Sequence, residues 1–173
     1  MLQLILGGAR SGKSRLAERL AAESALRVTY IATSQPLDGE LNERIALHRQ
    51  RRPAQWHLIE EPLELARVLR ENAAPDACLL VDCLTLWLTN LLMLDDAERL
   101  KVEREALLQS LAQLPGEIIF VSNETGLGIV PLGELTRRYV DEAGWLHQTL
   151  AERCQRVVLT VAGLPLTLKG TAL

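Results

Sequence analysis

Eight residues near the amino terminus, Gly7-Gly8-Ala9-Arg10-Ser11-Gly12-Lys13-Ser14, follow the spacing G-x-x-x-x-G-K-[ST]. That spacing suits a phosphate cradle. Glycines let the chain turn tightly, so that several backbone N–H groups point inward at phosphate oxygens. Lys13 supplies a point charge for the β- and γ-phosphates, and the Ser14 hydroxyl can ligate Mg²⁺. An apolar run precedes the loop and a helical pattern follows it, the context this motif requires. Asp82, which closes the apolar run ACLLVD, is a second metal candidate, because such sites hold Mg²⁺ with a carboxylate at the end of a neighbouring strand. A buried strand leaving the core would also end on an acid for solvation alone.

A second cluster is ERIALHRQRRP, Glu43 to Pro53, with four arginines and one of the chain's three histidines, in a protein of formal net charge −3. On a helix, Arg44 and Arg52 lie one turn either side of His48. Leu41 and Ile45 fall on an inward stripe, so the imidazole sits where core meets basic face. Two readings stay open on these residues: a solvated helix face, or a site that handles phosphate.

The elements that must position these groups can be read from the apolar pattern. Strands are expected at Leu2–Leu6, Val28–Thr33, Cys78–Asp82, Ile118–Ser122 and Val157–Val161. Helices are expected near Lys13–Ala25, Leu41–Arg51, Leu63–Glu71, Leu84–Leu94, Ala97–Gln113 and Glu134–Arg153. Continuous apolar strands alternating with helices predict an α/β fold of the P-loop NTPase kind, a mostly parallel sheet with helices on both faces. WHLIE at Trp56–Glu60 reads as a short edge strand and LPLTLK near the end as an antiparallel one. A length of 173 residues without a linker or repeat predicts a single nucleotide-binding domain over residues 1–173.

Composition narrows the function. Aromatic residues make up 3% of the chain, so few rings could stack on bases, and a pI near 5.7 leaves no global basic field for a nucleic acid. The twelve apolar residues from Cys83 to Leu94 are too short to span a bilayer and read as a buried helix or a subunit contact. Cys78, Cys83 and Cys154 form no CxxC pair, and Met1 leads into no signal segment. Reduced packing cysteines in a cytoplasmic protein are expected. A regulatory GTPase would carry N-K-x-D, and a transport ATPase an LSGGQ-like segment; neither is present. A metabolic kinase or nucleotidyltransferase remains.

In order from Leu4 to Lys169, the stretches LILGGARSGKS, YIATSQ, ERIALHRQRRPAQW, LLVDCLTLWLTNLL, VSNETGLGIVP and VAGLPLTLK resemble the adenosylcobinamide kinase/adenosylcobinamide-phosphate guanylyltransferase family of cobalamin biosynthesis. The resemblance implies two activities. Adenosylcobinamide is phosphorylated on its aminopropanol hydroxyl by ATP or GTP. GMP then passes from GTP to the resulting adenosylcobinamide phosphate through a GMP-histidine intermediate, at the position of His48. The surrounding cations would hold that imidazole neutral and nucleophilic.

The same resemblance implies nucleotide contacts from Ala32, Thr33 and Ser34, from Arg49, Gln50, Arg51 and Arg52, from Glu60, and from Asp82, besides residues Gly7 to Ser14. It also implies a homo-oligomer. Asn123 and Glu124 would orient the corrinoid tail or the hydroxyl nucleophile, or else form a hydrogen-bonded turn. His57 and His147 read as surface or packing residues. A small-metabolite kinase without nucleotidyl transfer is the alternative, and a nucleotide-dependent switch a more distant one. Transfer from the γ-phosphate and attack on the α-phosphorus do not obviously share one nucleotide pose, and the sequence does not choose between rebinding and a moving helix.

Overall fold

The computed structural model describes residues 1–35, 53 and 55–173. The expected helix Leu41–Arg51, with Arg44, His48, Arg49, Gln50, Arg51 and Arg52, lies outside the described residues. Each expected strand forms: β1 Leu2–Gly7, β2 Arg27–Ala32, β4 Ala77–Asp82, β5 Glu117–Asn123 and β6 Arg156–Val161. WHLIE supplies β3, His57–Glu60, and LPLTLK supplies β7, Leu164–Lys169. They make one seven-stranded sheet in the order β3-β2-β4-β5-β1-β6-β7. Six strands run parallel and β7 pairs antiparallel with β6.

Five helices are described: α1 Lys13–Glu23, α2 Leu65–Asn72, α3 Leu84–Met93, α4 Ala97–Ser110 and α5 Glu134–Arg153. Their ends follow local chemistry. Ala25 turns left-handed at φ 56°, which stops α1 two residues before the expected end. The Glu61 carboxylate accepts from the N–H groups of Leu63 and Glu64, so the chain rounds Pro62 before α2 begins at Leu65. Asp96 caps α4 by accepting from the Arg99 N–H at 3.0 Å.

Because side chains alternate along a strand, the central strands feed two cores. Leu4, Leu79, Val81, Ile118 and Phe120 face α2, α3, α4 and α5. Ile5, Cys78, Leu80, Ile119 and Val121 face Leu16, Ala17, Leu20 and Ala21 of α1. Both faces are covered, which is why the strands are apolar throughout. The twelve-residue apolar stretch is α3, with Leu84, Trp87, Leu88, Leu91 and Leu92 all buried. The core, not a partner subunit, accounts for those residues. Among the described residues no helix is long and apolar enough to cross a membrane.

Candidate nucleotide site

Every parallel strand ends on the same edge, the side of an open α/β sheet where ligands bind. There Gly7 stands in register between Asn123 of β5 and Thr160 of β6. The loop that follows is built on two glycine requirements. A Cβ on Gly7 would run into the Ser11 side chain and come within 2.6 Å of the Thr160 carbonyl oxygen. Gly12 has φ 97°, a left-handed conformation that favours glycine. The loop closes on itself through the Ser11 N–H donating to the Gly8 oxygen at 3.3 Å. It is tied to the β6–β7 turn by the Gly163 N–H donating to the Ser11 oxygen at 2.8 Å.

Helix α1 starts here without a side-chain cap and without an acid in its first turn. The free N–H groups and the positive end of the helix dipole therefore face outward unopposed. Lys13 bends back so that its Nζ donates to the Gly8 oxygen at 3.2 Å. Gly8, Ala9 and Arg10 are exposed, while Gly12, Lys13 and Ser14 are half-buried. Two hydroxyl oxygens at the loop, Ser11 Oγ and Thr160 Oγ1, are buried with no hydrogen-bond partner among the described residues. Such groups are costly to leave unmade; both are closed off from solvent in this conformation of the loop.

Asp82 ends β4, as expected, but β4 is not the strand beside β1. β5 lies between them, which places the carboxylate roughly 10 Å across the sheet at the usual strand spacing. The Tyr30 hydroxyl donates to its Oδ2 at 3.0 Å and fixes its direction. Burial pushes the next residue, the Cys83 thiol, up to about 11; the Asp82 charge adds to this and the Lys13 ammonium opposes it. Among the described residues no three His, Cys, Asp or Glu side chains gather as a metal cluster. One carboxylate and one hydroxyl suit Mg²⁺, which takes few protein ligands and completes its shell with water and phosphate oxygens.

Thr33, the first residue after β2, is held in place for a reason the sequence does not announce. The Thr33 hydroxyl is engaged with the Cys83 backbone, and the Thr33 carbonyl oxygen accepts from Asn90 Nδ2 of α3 at 2.8 Å. Its hydroxyl is therefore occupied within the protein, leaving the half-buried Ser34 as the more open hydroxyl. Ala32 is in register with both Asp82 and Glu60. Glu60 is exposed on β3, four strands from β1, so it lies on the same edge but well away from the phosphate loop.

His57 is exposed on that outer strand. His147 is not a mere filler of the core. It is 8% exposed, its Nε2 lies 2.8 Å from Ser122 Oγ, and its Nδ1 lies 3.9 Å from Glu124 Oε2. Burial lowers its pKa, with the Glu124 charge opposing. Thr85 joins the group: its hydroxyl accepts from the Asn123 N–H at 2.7 Å and lies 3.4 Å from Ser122 Oγ. Nothing in the sequence spacing could have announced this cluster, since it assembles α3, the end of β5 and α5.

The family model described as cobinamide kinase / cobinamide phosphate guanyltransferase matches residues 3–168. The bifunctional adenosylcobalamin biosynthesis protein CobP of Pseudomonas aeruginosa is 72% identical over 173 residues, the full length of both chains. The bifunctional adenosylcobalamin biosynthesis protein CobU of Escherichia coli is 37% identical, covering 98% of this chain and all of that one. Among solved structures, the RadB recombinase superposes with TM-score 0.53 at 19% identity, over 91% of this chain and 73% of the other. The flagellar accessory protein FlaH from Methanocaldococcus jannaschii gives 0.53 at 16% identity, over 98% and 78%. These likenesses place the sheet and phosphate loop in the P-loop NTPase fold.

Proposed function

Because this chain belongs to the cobinamide kinase / cobinamide phosphate guanyltransferase family, we propose that residues 1–173 form a single domain whose one phosphate loop serves both transfers. The enzyme phosphorylates adenosylcobinamide and then guanylylates the product, within adenosylcobalamin biosynthesis. The observation that supports one shared site is the closure of the loop around Gly7 and Gly12, with Lys13, Ser14 and Asp82 on the same sheet edge.

In the kinase step the acceptor hydroxyl oxygen bonds to the γ-phosphorus of ATP or GTP while the β–γ bridging bond breaks. Residues Gly7 to Ser14 hold the polyphosphate, and Lys13 carries part of the charge on the departing diphosphate. Ser14 and Asp82 would hold Mg²⁺, which when bound neutralises phosphate charge. In the second step a nitrogen of His48 bonds to the α-phosphorus of GTP and pyrophosphate leaves. An oxygen of adenosylcobinamide phosphate then displaces the imidazole, giving adenosylcobinamide-GDP. Covalent catalysis splits one transfer into two easier ones.

In this reading Arg49, Gln50, Arg51 and Arg52 contact the polyphosphate of GTP. Ala32, Thr33 and Ser34 contact the nucleotide through the backbone and Ser34. Glu60, at the far end of the edge, suits guanine N–H groups or ribose hydroxyls. The three buried thiols fit a reduced, cytoplasmic setting. Self-association completes the proposal. With most of α3 taken up by the core, exposed Leu164, Leu166 and Leu168 of β7 are apolar residues that a second copy would cover.

GTP labelled at the α-phosphate, supplied without corrinoid, tests the reading. An acid-labile label should appear on the chain and vanish in His48→Ala. Label retained in that variant moves the intermediate to another residue, and label absent from the unaltered chain leaves a kinase alone.

A further inference from the structure

We propose that Glu124 is the base that takes the proton from the acceptor hydroxyl in the kinase step, and that His147 positions it. The inference rests on the two-step reading above and assigns one residue pair to its first half. The nucleophiles of the two transfers differ in what they need. A neutral imidazole and a phosphate oxygen attack without losing a proton, whereas an aminopropanol hydroxyl must lose one. A chain with both activities therefore needs a proton acceptor for the first transfer alone.

The geometry singles out Glu124. β5 is the strand beside β1, and the Glu124 N–H donates to the Gly7 oxygen at 3.0 Å. The residue is thus anchored to the first position of the phosphate loop. Other carboxylates on this edge stand farther off. Asp82 is two strands from β1 and accepts from Tyr30, while Glu60 is four strands away, roughly 19 Å at the usual spacing. The Glu124 side chain keeps 22% exposure, enough to meet a substrate, whereas the histidine behind it is buried.

Its support is built in. Oε1 accepts from the Gly126 N–H at 2.6 Å, and Oε2 faces His147 Nδ1. His147 is itself held by Ser122 and, through Ser122, by Thr85. Directly after Glu124 come Leu127, Ile129, Val130 and Leu132, all more than 70% exposed. The apolar part of a corrin macrocycle laid on that segment would bring its aminopropanol arm to the carboxylate.

The step balances as follows. The hydroxyl oxygen forms a bond to the γ-phosphorus, and its proton passes to a Glu124 oxygen. The β–γ bridging bond breaks, its electron pair stays on the nucleoside diphosphate, and Glu124 returns the proton to solvent.

The test measures both transfers on the full chain: nucleoside diphosphate release with adenosylcobinamide, and pyrophosphate release with adenosylcobinamide phosphate supplied directly. Glu124→Gln should lower the ratio of kinase to guanylyl-transfer kcat by at least ~100-fold, the lower end for losing a general base. His147→Gln should lower the same ratio about tenfold with nucleotide KM unchanged, an effect that a merely structural histidine would not produce. A ratio within threefold of the unaltered chain, or equal loss of both transfers and of nucleotide affinity, overturns the proposal. If the unaltered chain forms no GMP adduct, the His48 reading fails separately. Kinase loss in Glu124→Gln at unchanged nucleotide Kd would still establish the base.

Discussion

The Thr33 hydroxyl donates to the Cys83 carbonyl oxygen at 2.6 Å and accepts from the Cys83 N–H at 2.9 Å. One buried side chain thus satisfies the N–H of the residue that follows Asp82 and shares its carbonyl oxygen with the Trp87 N–H of α3 at 3.2 Å. It also ties the end of β2 to the end of β4, the strand that carries the Asp82 carboxylate.

Thr33→Val keeps the shape and removes the hydroxyl, stranding the buried Cys83 N–H, while the Cys83 carbonyl oxygen keeps the Trp87 N–H at 3.2 Å. One such group costs about 1–3 kcal/mol, and a loss of that size is expected, read as a lower urea midpoint. Thr33→Ser should recover most of it. A midpoint unmoved in the valine variant would mean that water replaces the hydroxyl.

Gly7→Ala tests the phosphate loop without touching a charge. The new methyl meets the Ser11 side chain and the Thr160 carbonyl oxygen at 2.6 Å, and the carbonyl belongs to a sheet strand that cannot yield. The loop must open instead. Calorimetric titration with GTP should show affinity at least tenfold weaker, about 1.4 kcal/mol. Affinity within twofold would show a loop that relaxes freely.

These two sites mark how far the sequence could be read. The loop from Gly7 to Ser14 was legible because its chemistry is local: consecutive glycines, a lysine and a serine at fixed offsets. The strands were legible because both faces of the sheet are covered and their runs are continuously apolar. Strand order was not legible, since insertion of β5 between β1 and β4 depends on helices packing across the sheet. The roles of Thr33 and His147 were hidden for a related reason. Their partners Cys83, Ser122 and Glu124 are distant in sequence and meet only once three elements have folded together. The α3 segment read as apolar in either case, and only the sheet beneath it decided for core over partner.

Tyr30→Phe removes the donor to Asp82 Oδ2 while keeping a ring in the core. If Asp82 holds Mg²⁺, loss of a residue orienting a metal ligand weakens metal binding by about 10–100-fold. The Mg²⁺ concentration giving half-maximal kinase rate should rise by about tenfold, with kcat at saturating Mg²⁺ little changed. A rise absent in this variant would argue that Asp82 acts on the nucleotide without the metal.

His147 gives the fold a pH dependence of known sign. Burial lowers its pKa below the ordinary 6.5, so the folded chain binds its proton less readily than the unfolded chain does. Between the lowered and ordinary values the unfolded state carries more protons, and stability rises with pH there. The contribution is therefore fully present above about pH 6.5 and is lost as pH falls through that value toward the folded one. Glu124 at 3.9 Å, the only charged side chain paired with the ring among the described residues, limits the shift without reversing it. Thermal unfolding at pH 7.5 and 5.5 should show a fall in Tm for the unaltered chain that is smaller in His147→Gln, which cannot titrate. An equal fall in both would assign the acid sensitivity to titrating groups other than the buried ring.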